Sequence, residues 1–177
     1  SLGPQVLDLL EQGLAPGEAL ASVFAGQEHG DYRQVTVIDH LGRTAHFSGA
    51  HTLGVHGALS GEQCVAAGNM LADPGVIEAM VRAFEQAAGH LADRLLAAMQ
   101  AGQAQGGEAG PVHSAALLVV DDVLWPIVNL RVDWADEDPI GALERLWQAY
   151  HPQLQDYIDR ALNPHIAPGY AVPGDDR

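Results

Sequence analysis

The sequence predicts an α+β domain with antiparallel strands, and three observations predict it. Strand-like runs occur as neighbours joined by short turns, at residues 33–48 and 113–132. Helical periodicity is confined to separate blocks, at residues 1–25, 73–100 and 138–162. That grouping favours α+β over an alternating, parallel architecture. Asp-Pro precedes the two later blocks, at Asp73-Pro74 and Asp138-Pro139. Asp suits the helix N-cap and Pro the first helical position.

The elements follow in order. A first helix starts at Ser1 or Gly3-Pro4, carries Val6, Leu7, Leu9 and Leu10 as its apolar stripe, and ends at Gly13. Pro16 opens a second, with Ala19, Leu20, Val23 and Phe24, stopped by Gly26. The hairpin has Val35, Val37 and Ile38 in its first strand, His40-Leu41-Gly42 as turn, and residues 44–48 as return strand. Residues 51–61, rich in Gly and His, read as a link to a third strand near residues 63–67. From Val76 to Met99, apolar residues recur at helical spacing, predicting one long helix to about residue 100. Residues 102–110 read as a Gly/Gln/Ala loop. The second hairpin turns at Asp121-Asp122, and residues 113–120 are so continuously apolar that they predict a strand covered on both faces. Ile140, Leu143, Leu146, Trp147 and Tyr150 share a face of the next helix, and residues 154–162 continue helically. These elements form a single domain over residues 1–162. The tail, 163–177, with Pro164, Pro168 and Pro173, is a peripheral strap or disordered.

A chain of 177 residues is long enough for a substantial core. Its 47% hydrophobic content excludes disorder as a whole. No run approaches the roughly 20 apolar residues that span a bilayer. The net charge of −15, from 8 basic against 23 acidic residues, argues against nucleic acid and anionic membrane, which bind through phosphate neutralisation. It suits a protein of small molecules in a cytoplasmic setting. Every basic residue is Arg, the side chain fitted to bidentate carboxylate contacts. A single cysteine, Cys64, excludes an internal disulfide. His46, His51 and His56 match no metal-binding helix motif, and residues 102–110 lack the Lys of a phosphate loop, so no metal or cofactor is expected.

Six segments, in order, carry a family resemblance: Leu2-Gly-Pro with Leu7-Asp-Leu-Leu, Arg33-Gln-Val-x-Val-Ile-Asp39 with Gly42, Ser48-Gly49, Gly68-Asn-Met-Leu71, Ser114-Ala-Ala-Leu-Leu-Val-Val120, and Leu130-Arg-Val-Asp133. Together they resemble the bacterial Ntn-hydrolase-like proteins catalogued as domain-of-unknown-function family 1028. The resemblance implies a four-layer αββα sandwich with antiparallel sheets, and an amidohydrolase-like activity. Members ordinarily begin with several dozen further residues holding the first strands, so a complementary N-terminal fragment is an expected partner. An incomplete sheet and a long apolar helix also suggest association, most simply as a dimer.

The resemblance makes Ser1 the candidate nucleophile, because Ntn hydrolases use the amine of an N-terminal Ser, Thr or Cys as base for its own side chain. The competing reading is that Ser1 merely caps the first helix. Asn69, at a strand end, is a candidate oxyanion donor, against a plain turn-supporting role. Arg33 and Arg131 are candidates for binding a substrate carboxylate, against pairing with Asp39 or Asp133. Gln34 and Asp133 join them as polar residues on strands, and His113-Ser114 supply a polar pair at a strand start. The expected function is hydrolysis of a small linear or cyclic amide. The alternative is an inactive member of the same fold that binds a ligand or serves assembly.

Overall fold

The computed structural model describes residues 1–169. The chain divides into two compact units, Ser1–Pro111 and Val112–Arg177, where the sequence read as a single domain over 1–162. Among the described residues no helix is long and apolar enough to cross a membrane. The fold is mixed α+β, with three separate two-stranded antiparallel sheets among the described residues.

The first unit starts with α1 (Leu2–Glu11) and α2 (Pro16–Phe24). Gly13 and Gly26, both at positive φ, end them where the sequence indicated. At the start of α2, Glu18 accepts from the Ala15 N–H at 3.0 Å and satisfies a donor the helix leaves open. β1 (Gln34–Ile38) and β2 (Thr44–Ser48) form the expected hairpin. Its alternation decides the packing. Val35, Val37, Ala45 and Phe47 join Val6, Ala19 and Leu20 in one apolar cluster with α1 and α2. Phe24 stacks on Phe47 with ring centroids 3.9 Å apart.

The expected link at 51–61 is instead a strand. β3 (Val55–Gly61) pairs with β4 (Cys64–Leu71). Val55-His-Gly-Ala-Leu-Ser-Gly61 is weak in β-formers, and its strand character comes from its partner. Ala66, Leu71, Val76, Ile77 and Met80 pack together, which places α3 (Val76–Gln86) on one face of this hairpin. The expected long helix is in fact two. α3 ends near Ala87, Gly89 takes φ +101°, and α4 (Leu91–Ala104) begins afresh, with the His90 imidazole accepting from the Ala92 N–H at 3.1 Å. The apolar period runs through the break because α3 and α4 pack on each other, with Gly102 of α4 against Val76 and Met80 of α3. α4 also extends into the expected 102–110 loop. Gly102 is buried there against Met80, whose side chain a Cβ at this position would meet.

In the second unit, β5 (Ala115–Val119) pairs with β6 (Val128–Val132). α5 (Pro139–Tyr150) packs on them with Ile140, Leu143 and Trp147 buried. Asp138 caps α5 as expected, accepting from the Gly141 N–H at 2.9 Å. β5 corrects one expectation: it is not covered on both faces. Ala115, Leu117 and Val119 are buried, while Leu118 is 58% exposed. α6 (Leu154–Leu162) follows. Of the expected tail, the described part acts as a strap, with Ala167 buried and the Pro168 carbonyl accepting from Arg160. Residues 170–177 lie outside the described residues.

Candidate functional site

Where β1 and β2 give Val35, Val37, Ala45 and Phe47 to the helices, period two gives Gln34, Thr36, His46 and Ser48 to the opposite face. In β4, Ala66 turns to α3, and Val65, Ala67 and Asn69 turn away from it. The two turned-away faces meet through hydrogen bonds. Gln34 Nε2 lies 3.1 Å from Ser48 Oγ, from the Gly57 carbonyl and from the Gly68 carbonyl, and shares its two N–H donors among them. Ser48 Oγ lies 3.0 Å from His56 Nδ1, and His46 Nδ1 lies 3.4 Å from Ser60 Oγ. A polar layer therefore joins the hairpins, with an apolar cluster behind each.

The chemistry of this layer is directional. Gly57 and Gly68 offer carbonyls, which only accept, so the NH₂ end of Gln34 faces them. That same nitrogen cannot accept from Ser48. The Ser48 hydroxyl is thus left to donate to His56 Nδ1 when the imidazole carries its proton on Nε2. The result is an oriented Ser–His pair held by an amide that also staples the hairpins together.

A β-bulge lies opposite His56. Val55 pairs with Leu71 and Gly57 with Gly68, so His56 alone opposes both Asn69 and Met70. Met70 takes the left-handed conformation at φ +52°. Its N–H donates to the Leu53 carbonyl at 2.9 Å, and its carbonyl accepts from the Ala109 N–H at 2.7 Å. Such bulges re-aim side chains. Asn69 is exposed, and its side chain has no hydrogen-bond partner among the described residues.

The other expected residues fall elsewhere. Ser1 is exposed at the N-cap of α1 and makes no capping bond through its side chain. α1 packs on the apolar face of β1–β2, the side away from the polar layer. Arg33 sits next to Gln34, exposed, with no acid beside it among the described residues. Asp39 pairs with Arg43 at 2.7 Å. Burial pushes the Asp39 carboxyl up, but the Arg43 side chain and the Arg43 and Leu41 N–H groups outweigh it and hold the pKa below its ordinary value. Arg131 in the second unit donates to Asp133, with Nη2 at 2.6 Å. His113 stacks on Trp134 at 4.2 Å, and its Nδ1 contacts the Ala135 carbonyl at 2.9 Å, while Ser114 is exposed. The three histidines considered for a metal part company: His46 faces Ser60, His56 faces Ser48, and His51 packs on Tyr32. Burial, reinforced by Glu85, pushes the Cys64 thiol up, so it stays protonated at neutral pH.

Ser48 and His56 were the residues that sequence reasoning did not assemble. The signal for Ser48 was its period-two relation to Gln34 and His46 on one hairpin. His56 was weighed only as a metal ligand with His46 and His51, because its strand was not recognisable without its partner.

The model of a family of unknown function, DUF1028, matches residues 1–143. The chain belongs to that family. The match covers the whole first unit together with β5, β6 and the start of α5. Among solved structures, this DUF1028 chain is similar to protein SPO2555 from Silicibacter pomeroyi, which carries the same family designation. The two are 36% identical with a TM-score of 0.79, over 88% of this chain and 67% of that one. No curated protein matches the chain.

Proposed function

We propose that this DUF1028 chain hydrolyses a small linear or cyclic amide in the polar layer between β1–β2 and β3–β4, within an Ntn-hydrolase-like αββα sandwich. The layering supports the fold half of this reading. α1 and α2 pack behind the first hairpin, α3 packs behind the second, and the polar faces of the hairpins meet. The observation that carries the chemistry is the Gln34–Ser48–His56 network, since a serine is activated by a base within hydrogen-bond reach.

In this mechanism Ser48 Oγ attacks the amide carbonyl carbon while its proton passes to His56 Nδ1. The carbonyl oxygen, now negative, takes a hydrogen bond from the Asn69 amide. Collapse breaks the C–N bond, and the leaving nitrogen takes the proton from His56. Water, deprotonated by His56, then attacks the Ser48 ester; the bond from the acyl carbon to Oγ breaks, Oγ takes the proton back from His56, and the acid leaves. An N-terminal-nucleophile route through Ser1 and its amine is the rival mechanism for the same reaction.

The test is hydrolysis of a panel of small linear and cyclic amides by the intact chain and by Ser48→Ala, His56→Ala, Asn69→Ala and Ser1→Ala. Ser48→Ala is expected to lower kcat/KM by at least about 10³-fold and Asn69→Ala by about 10²-fold, with Ser1→Ala near the parent. Loss with Ser1→Ala but not Ser48→Ala transfers the reaction to the N-terminal route. Absence of turnover across the panel overturns the hydrolase reading in favour of ligand binding.

A further inference from the structure

Phe47 and Ser48 are successive residues on β2 and point to opposite faces. Behind the hairpin, on the Phe47 side, lies a cavity of about 440 Å³ lined by Phe24, His29, Asp31, Tyr32, Phe47 and His51 among others. It is separate from the Ser48–His56 layer and is not needed for the chemistry proposed there.

The walls are built by local backbone requirements. His29 takes the left-handed conformation, φ 61°, and leads into a 3-10 turn at Gly30–Tyr32. The His51 N–H donates to the Asp31 carbonyl and the Gly49 N–H to the Arg33 carbonyl, both at 2.8 Å, which fixes the turn against the end of β2. Gly49 is required there, because a Cβ would collide with the Asp31 backbone. Aromatic rings then converge on the cavity. Tyr32 lies 5.0 Å from His51 at a 32° tilt and 6.4 Å from His29 with the rings 70° apart. Phe24 and Phe47, a stacked pair, also line the cavity. Asp31 is the one carboxylate of the lining, and it forms no ion pair among the described residues.

We propose that this cavity binds a small organic ammonium ion, with Tyr32 and the neighbouring rings facing the cation and Asp31 supplying the counter-charge. Aromatic faces attract cations through the ring quadrupole, most strongly for quaternary ammonium groups that water solvates weakly. An anionic ligand finds no Arg in the lining. The cavity falls within the range of small-molecule sites, ~300–1,000 Å³, and exceeds what a bare metal ion requires. The net charge of −15 raises the local concentration of any cation.

The test is an NMR titration of the intact chain with choline chloride and, separately, with its neutral isostere 3,3-dimethylbutan-1-ol. Choline is expected to shift the Tyr32 and His51 ring signals, with the neutral isostere at least about tenfold weaker. Tyr32→Leu keeps the bulk but removes the π face, and Asp31→Asn keeps the shape but removes the charge. Each is expected to weaken choline about tenfold with an unchanged thermal melt, since both residues are exposed. Ser48→Ala is expected to leave choline binding untouched, which separates this site from the hydrolytic layer. Equal binding of the neutral isostere, full binding by either variant, or no ring shifts up to about 0.1 M choline overturns the proposal.

Discussion

β1–β2 and β5–β6 are both pairs of five-residue antiparallel strands, and each lays one face on helices, yet their free faces carry different chemistry. The free face of β1–β2 holds Gln34, Thr36, His46 and Ser48, and it is tied to β3–β4 by four side-chain hydrogen bonds. That of β5–β6 holds Ala116, Leu118, Asn129 and Arg131, with Arg131 spoken for by Asp133. The comparison shows why polarity at alternate strand positions is informative. A hairpin face that merely met water would not need an amide reaching three acceptors, and a face built for packing would not carry a Ser–His pair. In β5 the apolar run conceals the alternation, since Leu117 and Leu118 look alike in sequence and differ entirely in burial.

The sharpest way to break this comparison lies within β5. Leu117→Ala is expected to cost about 3 kcal/mol, because a buried leucine leaves a cavity, whereas Leu118→Thr is expected to stay within about 0.5 kcal/mol. Equal losses in chemical denaturation would mean that both faces are packed after all. Next comes the staple. Gln34→Leu leaves the Gly57 and Gly68 carbonyls without their side-chain donor and is expected to cost about 2 kcal/mol. Hydrogen exchange should rise in β3–β4 and not in β5–β6, and an even rise over both would sink the staple. Gly89→Ala is expected to destabilise by about 1 kcal/mol, because Gly89 holds φ +101° between α3 and α4. A gain in melting temperature would restore the single long helix. The smallest effect concerns the β1–β2 turn. A carboxylate with a depressed folded pKa stabilises above its ordinary pKa and loses that contribution as pH falls through the folded value. The melting-temperature deficit of Asp39→Asn should therefore be largest near neutrality and close in acid.

Much of this was legible in the residues. Gly13 and Gly26 stop their helices, Asp138-Pro139 starts α5, and the 33–48 hairpin stands where its alternation placed it. Each is a local device, decided within a few residues of itself. β3 was not legible, for Val55-His-Gly-Ala-Leu-Ser-Gly61 has little strand propensity and is held by its ladder to β4. The candidate site divides along the same line. Gln34 and Asn69 were identifiable as polar residues at strand positions, but the atoms that give Gln34 its role lie 14, 23 and 34 residues further on.

The sequence by itself determined the α+β class, the helix ends at Gly13 and Gly26 and the start of α5 at Asp138-Pro139, the charge that disfavours polyanionic partners, and membership of DUF1028. Only the tertiary structure decided that His56 is the partner of Ser48 and that a bulge sets Asn69 and Met70 opposite His56. It also decided which leucine of β5 is core. The physical reason is the range of the interactions. Capping and turn chemistry act between neighbours, whereas pairing register, burial and a shared proton depend on segments that only folding brings together.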